Sequence, residues 1–265
     1  MSFLNLEGKT FLITGVANKK SVAYFSAKTL IDNGGKAIFS VQNEEAKIKV
    51  EKLFPGSDIF ICDVENETSI QMLAENVKKL DLKLSGFLHS IAFANYSEGM
   101  RPFHETKAQD FFQATNISCL SLLIITNALK KCFTEDASIV TISISNTRAT
   151  SYGYMGPIKA ALDSSVAFLA KSLSEFSKIR VNAVCAGPLK TSASAGIPGY
   201  INNYIFAEKL TLRGEALKTQ EVANTVNFLL SPASSGINAT GIVVDAGMSC
   251  NYFDQKVVNT VADHI

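Results

Sequence analysis

The sequence predicts a doubly wound α/β fold, a parallel β-sheet covered by helices on both faces, in a single domain with a lid over its binding edge. Three observations carry this. Short, unbroken apolar runs of strand length alternate with longer amphipathic runs from end to end, and strands buried on both faces read as continuous apolar runs where a half-exposed strand would alternate. The intervening runs are long enough for the helical crossovers that parallel neighbours require. One segment, Gly187 to Lys218, has no clean period between a strand and a helix. In such folds ligands sit beyond the carboxyl ends of the strands, and long strand-to-helix segments there cover them, so about 188–218 is expected to be a lid.

The elements follow in order. Thr10 to Thr14 reads as a buried strand, and Ser21 to Asn33 as a helix stopped by Gly34-Gly35. Ala37 to Val41 is the second strand, Glu44 to Leu53 a helix, Asp58 to Cys62 a strand and Ser69 to Lys79 a helix. Gly86 to Ile91 is the fourth strand. After a polar loop, Ala108 to Leu129 is long and helical, with Leu120, Leu122, Leu123, Ile124 and Ile125 making it apolar on nearly every side, more than one core contact needs. Ser138 to Ser143 is a strand, Met155 to Phe176 a helix, Arg180 to Val184 a strand and Gln220 to Leu230 a helix. Gly241 to Asp245 closes the sheet. No internal repeat, low-complexity tract or linker-like composition shift interrupts the 265 residues.

Composition narrows the function. A net charge of +1 removes the electrostatic footprint of a general nucleic-acid binder and any reason to expect an anionic membrane partner. The polar N-terminus has no signal-peptide pattern, and no stretch approaches the unbroken apolar length of a membrane span. Cys62, Cys119, Cys132, Cys185 and Cys250 are scattered and mostly set in apolar runs, the pattern of reduced thiols. His89, His104 and His264 are too far apart to make a metal cluster by spacing. The expectation is a soluble, cytoplasmic protein.

The end of the first strand is the first candidate site. Gly15 permits the tight turn that aims a helix N-terminus at a pyrophosphate, although the usual G-x-G-x-x-G is absent. Ser21 caps that helix or donates to phosphate. Gln42 ends the second strand, where an adenosine ribose hydroxyl would bond. Glu44 and Glu45 just beyond would repel a 2′-phosphate, which favours NADH over NADPH, or would merely favour the positive end of their own helix. Asp63-Val64, ending the third strand, could hold adenine.

Further motifs complete a pattern: the turn Thr14-Gly15-Val16-Ala17-Asn18-Lys19-Lys20-Ser21-Val22-Ala23-Tyr24; His89-Ser90-Ile91-Ala92-Phe93-Ala94; Tyr152-Gly153-Tyr154-Met155-Gly156-Pro157-Ile158-Lys159; Arg180 to Thr191; and Ile242 to Gly247. In order, from about residue 7 to 250, these resemble the enoyl-acyl-carrier-protein reductases, a divergent branch of the short-chain dehydrogenases with a Rossmann-like fold. The resemblance implies NADH-dependent reduction of trans-2-enoyl thioesters, delivered on acyl carrier protein, in fatty acid biosynthesis by a homotetramer. It implies that Tyr152 and Lys159 are catalytic, Tyr152 stabilising an enolate and Lys159 holding the nicotinamide ribose. Cofactor contacts would fall on Gly15, Ser21, Val22, Gln42, Asp63, Val64, Ser90, Ile91, Lys159, Leu189, Lys190, Thr191, Ser192 and Ala193. Ala94, Tyr152, Ile197 and Tyr200, with Tyr204, would meet the acyl chain and line the lid.

The sequence departs from that pattern at three places. Ile144 stands where the family usually has a second aromatic, Ala92 replaces a usual Gly, and Lys190 replaces a common Arg. The missing aromatic keeps open a reductase of the same fold acting on a ketone or another enone. An ordinary short-chain dehydrogenase has Tyr-x3-Lys, which would need Tyr at position 155, and that residue is Met155. A catalytically silent nucleotide-binding paralogue need keep neither Tyr152 nor Lys159, and this sequence keeps both.

Overall fold

The computed structural model describes residues 3–262, except the side chains of Ser192, Ala193 and Val261; His264 lies outside the described residues. The strands are β1 (Thr10–Thr14), β2 (Lys36–Val41), β3 (Ile59–Ile61), β4 (Leu84–His89), β5 (Phe133–Ile144), β6 (Arg180–Ala186) and β7 (Thr240–Val244). They form one parallel sheet in the order β3-β2-β1-β4-β5-β6-β7. The chain reverses its direction of winding between β1 and β4, and a crevice opens at the carboxyl ends of strands at such a point.

Helices α1 (Val22–Asp32), α2 (Glu44–Leu53) and α9 (Thr219–Leu230) cover one face; α3 (Glu67–Lys79), α4 (Ala108–Thr115), α5 (Ser121–Leu129) and α6 (Met155–Leu173) cover the other. Successive strand residues point to opposite faces, and the two cores divide accordingly. Leu12, Ile38, Phe87, Ile139 and Val181 pack against Leu73, Leu122, Ile125, Ile158 and Leu162. Phe11, Ile13, Phe39, Leu88 and Val140 pack against Ala23, Leu30, Val222 and Val226. The remaining helices are α7 (Ser192–Ala195) and α8 (Tyr200–Leu210), between β6 and α9, and α10 (Gln255–Ala262).

The boundaries depart from the sequence reading where tertiary structure intervenes. β4 ends at His89, so Ser90 and Ile91 leave the sheet rather than extend it. β5 begins at Phe133 because polar Thr134, Glu135 and Asp136 continue the strand across a register shift opposite Leu84 and Gly86. The run from Ala108 to Leu129 is helical throughout but carries a π-helical segment, Asn116–Leu120, which divides α4 from α5. That run is also long and apolar enough to cross a membrane by length and composition, yet half of it is buried within this fold. Asp245 lies just past β7 and shapes the following turn, accepting from the Gly247 and Ser249 amides at 2.9 and 3.0 Å.

Candidate active site

One cleft of about 620 Å³ runs along the carboxyl ends of the strands across the β1/β4 switch point. Its floor depends on Gly15. With φ of +83°, that residue brings β1 so close to the start of the loop after β4 that an added Cβ would stand 1.9 Å from the Ser90 carbonyl oxygen. Thr14 ties the same two strand ends together, donating to the Leu88 carbonyl at 2.9 Å and accepting from the Ser90 amide at 3.2 Å. A backbone held this tightly, with no side chain at Gly15, lets a ligand approach main-chain atoms at the helix N-terminus.

Ser21 is the N-cap of α1: its hydroxyl accepts from the Tyr24 amide at 3.3 Å and donates to the Asn18 carbonyl at 2.8 Å. Both Ser21 and Val22 line the cleft, whereas Lys19 and Lys20 are exposed beyond it. Gln42 is on the cleft wall with Ser40, Val41 and Ala46. Glu44 and Glu45 are not on that wall. They occupy the first turn of α2, and Lys49, 2.6 Å from Glu45, holds that carboxyl below its usual range. The helix-end role therefore accounts for their position. Asp63 and Val64 line the cleft, and Asp63 also accepts from the Glu65 amide at 3.1 Å.

The loop after β4 supplies Ser90, Ile91, Ala92, Phe93, Ala94 and Tyr96. The π-helical segment anchors it: Ser118 accepts from the Phe93 amide at 2.9 Å and donates to the Phe93 carbonyl at 3.2 Å. Such one-turn irregularities recur beside functional sites because they re-aim side chains. His89 lies beneath, fully buried, with its ring nitrogens 2.9 Å from the Thr141 hydroxyl and 2.8 Å from that of Ser121. Burial, with Lys159 nearby, pushes its pKa down to about 3, so it stays neutral and acts as a fixed polar clamp between β4, β5 and α5.

Tyr152 and Lys159 line the same cleft from either side of the start of α6. Gly153 separates Tyr152 from Tyr154 at φ +61° and ψ −147°, a backbone conformation open essentially to glycine alone. The turn sends the two tyrosines different ways. Tyr154 is buried and donates to the Asn95 carbonyl at 3.0 Å, while Tyr152 reaches the cleft. Burial pushes the Tyr152 phenol up to about 12, which keeps it protonated and able to donate at neutral pH. Lys159 is 4% exposed, and its ammonium donates to the Ile142 carbonyl at 2.8 Å. Burial pushes it down to about 8, partly offset by Asp163 one helical turn on.

Leu189, Thr191, Ile197 and Tyr200 close the cleft from the segment between β6 and α9. Tyr200 bridges that segment to itself, donating to the Leu189 carbonyl and accepting from its amide, both at 2.9 Å. Lys190 is exposed and Tyr204 is partly exposed, and neither lines the cleft. Ser192 and Ala193 begin α7; their side chains lie outside the described residues. The cleft also takes in Ile117, Ile142, Met155, Ser194 and Tyr96, none singled out by sequence as a site residue. Among the described residues no group of three or more His, Cys, Asp or Glu side chains could hold a metal ion.

The parallel sheet, its order and the crevice at its switch point define a Rossmann-like protein of the short-chain dehydrogenase type. Comparison with known proteins narrows this. The profile of the family described as enoyl-(acyl carrier protein) reductase matches residues 15–249. The enoyl-[acyl-carrier-protein] reductase [NADH] FabI of Enterococcus faecalis is 36% identical over 246 residues, covering 92% of this chain and 98% of that protein. Its NADPH-named counterpart in Staphylococcus aureus is 35% identical over 251 residues, covering 92% and 98%. The crystal structure of the NADH enoyl-[acyl-carrier-protein] reductase from Aquifex aeolicus superposes with a TM-score of 0.88 at 31% identity, covering 92% of this chain and 97% of that one. The chain belongs to the enoyl-acyl-carrier-protein reductase family and is an oxidoreductase of that kind.

Proposed function

We propose that this protein reduces trans-2-enoyl thioesters carried on acyl carrier protein, using NADH, with Tyr152 as the hydrogen-bond donor to the thioester oxygen and Lys159 as the anchor of the cofactor ribose. The observation that carries the reading is the placement of a neutral phenol and a buried ammonium on one wall of the cleft that Gly15 and the α1 N-terminus open. The cleft suits a dinucleotide. The close approach at Gly15 leaves room for a pyrophosphate on backbone, Gln42 and Asp63 offer partners to ribose and adenine, and Lys159 offers the only buried cation among the described residues of the wall. When bound, the nicotinamide supplies the hydride that C3 of the substrate accepts. The protein meets the negative charge that then develops on the thioester oxygen. Tyr152 donates to that oxygen from a water-poor wall, where such a bond is strongest. Lys159, held by Ile142, adds positive potential and orients the ribose.

The segment 188–218 acts as the lid of a single domain, with Ile197 and Tyr200 toward the acyl chain together with Ala94. The working enzyme is a cytoplasmic homotetramer. Phe112 and Leu120 on the outer side of the Ala108–Leu129 run, and Phe168 on α6, stand exposed, and an apolar face of this kind is covered by a second copy. NADH oxidation measured with crotonyl and longer enoyl thioesters, against a panel of ketones, tests the reading. Turnover of ketones without turnover of enoyl thioesters would replace it with a carbonyl reductase.

A further inference from the structure

His89 takes no part in the chemistry proposed above, yet a chain of bonds runs from its ring toward two walls of the cleft. The ring is fully enclosed at the end of β4. Counting donors fixes its tautomer. The Ser121 hydroxyl lies 2.8 Å from Nε2 and 2.6 Å from the Ile117 carbonyl. A carbonyl oxygen can only accept, so the single hydroxyl hydrogen of Ser121 goes to Ile117. Nε2 must then carry a hydrogen of its own and donate it to Ser121. Burial keeps the ring neutral, which leaves Nδ1 bare. It accepts from the Thr141 hydroxyl at 2.9 Å, a shorter bond than the 3.3 Å from that hydroxyl to the His89 carbonyl.

Both partners of the ring lead to the cleft. On one side, Ile117 belongs to the π-helical segment and lines the cleft, and Ser118 beside it holds the Phe93 amide at 2.9 Å and the Phe93 carbonyl at 3.2 Å. Ile91, Ala92 and Ala94, on either side of that anchor, line the cleft as well. On the other side, Thr141 precedes Ile142, whose carbonyl takes the Lys159 ammonium at 2.8 Å. We propose that His89 is a positioning residue of the reductase: its Nε2–H tautomer locks the π-helical segment to β4 and β5, and so sets the loop from Ile91 to Ala94 against the substrate. The inference rests on the enoyl reductase reading above and adds to it the part of the fold that fixes the substrate wall. A wall out of place costs rate even when every reacting group is present.

The test joins a spectrum to a mutant cycle. In protein carrying His104→Gln and His264→Gln, His89 is the only histidine left, and nuclear magnetic resonance of its isotope-labelled ring nitrogens reads the tautomer directly. The expected state is neutral Nε2–H, unchanged from about pH 8 to about pH 5, a range in which an exposed imidazole takes up its proton. An Nδ1–H tautomer, or a ring that titrates in that range, would overturn the inference. Ser121→Ala cuts the ring from the π-helical segment, and Ser118→Ala cuts that segment from the loop. Each should raise KM for a crotonyl thioester roughly three- to tenfold, the scale of one or two net hydrogen bonds, with kcat and NADH affinity within about twofold of wild type. Both breaks lie on one chain, so the double variant should be no more than about twofold worse than the worse single. Single variants within about twofold of an active wild type, or effects that multiply in the double variant, would overturn the inference. A wild type inactive on every enoyl thioester would instead overturn the reaction assigned to the cleft, and this inference with it.

Discussion

Lys159 carries a pH dependence that can be worked from its surroundings. An unfolded lysine titrates near 10.5, while burial brings Lys159 down to about 8 in the folded chain. Below pH 8 both states hold the proton, and folding carries the full cost of burying the charge. Between about 8 and 10.5 the unfolded chain still holds a proton that the folded chain has released, so stability rises with pH through that window and levels off above it. The gap of about 2.5 units at about 1.4 kcal/mol each sets the gain at about 3 kcal/mol. The side chain is almost wholly enclosed, so solvent screening takes little from this figure. Tyrosines and cysteines titrate in the same range, and the comparison must cancel them. Lys159→Met does so, since it keeps the length of the side chain and removes its titration. The bond to the Ile142 carbonyl that it also loses shifts stability alike at both pH values only in so far as that bond does not depend on charge. Urea unfolding of both proteins at pH 7 and pH 10.5 is the assay. The wild type should gain about 3 kcal/mol relative to the variant between the two. Equal pH responses, within half a kcal/mol, would refute the buried ammonium. NADH affinity should move the other way, weakening above pH 8 in the wild type as the anchor loses its charge.

Three further outcomes are expected. Tyr152→Phe should lower kcat on an enoyl thioester by roughly ten- to a thousandfold with NADH affinity almost unchanged, as read by steady-state kinetics and a fluorescence titration. Gly15→Ala should lower the unfolding temperature and weaken NADH binding. The left-handed backbone alone costs an L-residue roughly 1–2 kcal/mol, and the new methyl would press on the Ser90 carbonyl. Light scattering at micromolar concentration should give the mass of four chains, with Phe168→Glu shifting it downward; a monomeric wild type would refute the assembly.

How far the sequence carried depended on what each residue answers to. Strand interiors such as Thr10–Thr14 and Lys36–Val41 were legible because burial on both faces demands an unbroken apolar run. The long central helix was legible as a helix, but its π-helical segment was not. A run apolar on nearly every side has no phase to lose, so one extra residue in a turn leaves no mark on it. Between β6 and α9, α8 went unread because Ile201, Ile205 and Phe206 are exposed and form no core stripe. Among the described residues of α10 none is buried, so it too offers no core stripe to read. Of the residues that line the cleft, Gly15 and Ser21 were legible from their place at a strand-to-helix turn, and Tyr152 and Lys159 through the family resemblance. Tyr96 was not, since its place on the cleft depends on packing against Tyr154 that its own polar loop does not announce.

The same division bears on the choice of cofactor. Family membership leaves it open, because relatives of nearly equal identity are named for NADH in one case and NADPH in the other. The decision then falls to the wall at the end of β2. The two acids that argued against a 2′-phosphate in the sequence stand off that wall, Glu45 bound to Lys49 and Glu44 beside Lys47. What remains is the set of groups that do line it: Ser40, Val41, Gln42 and Ala46, with no cation among them. A doubly charged phosphate placed there would lose its hydration without an arginine or lysine to replace it, whereas a ribose hydroxyl needs only an acceptor such as Gln42. The preference for NADH therefore rests on a missing positive charge on the wall and no longer on the nearby negative ones.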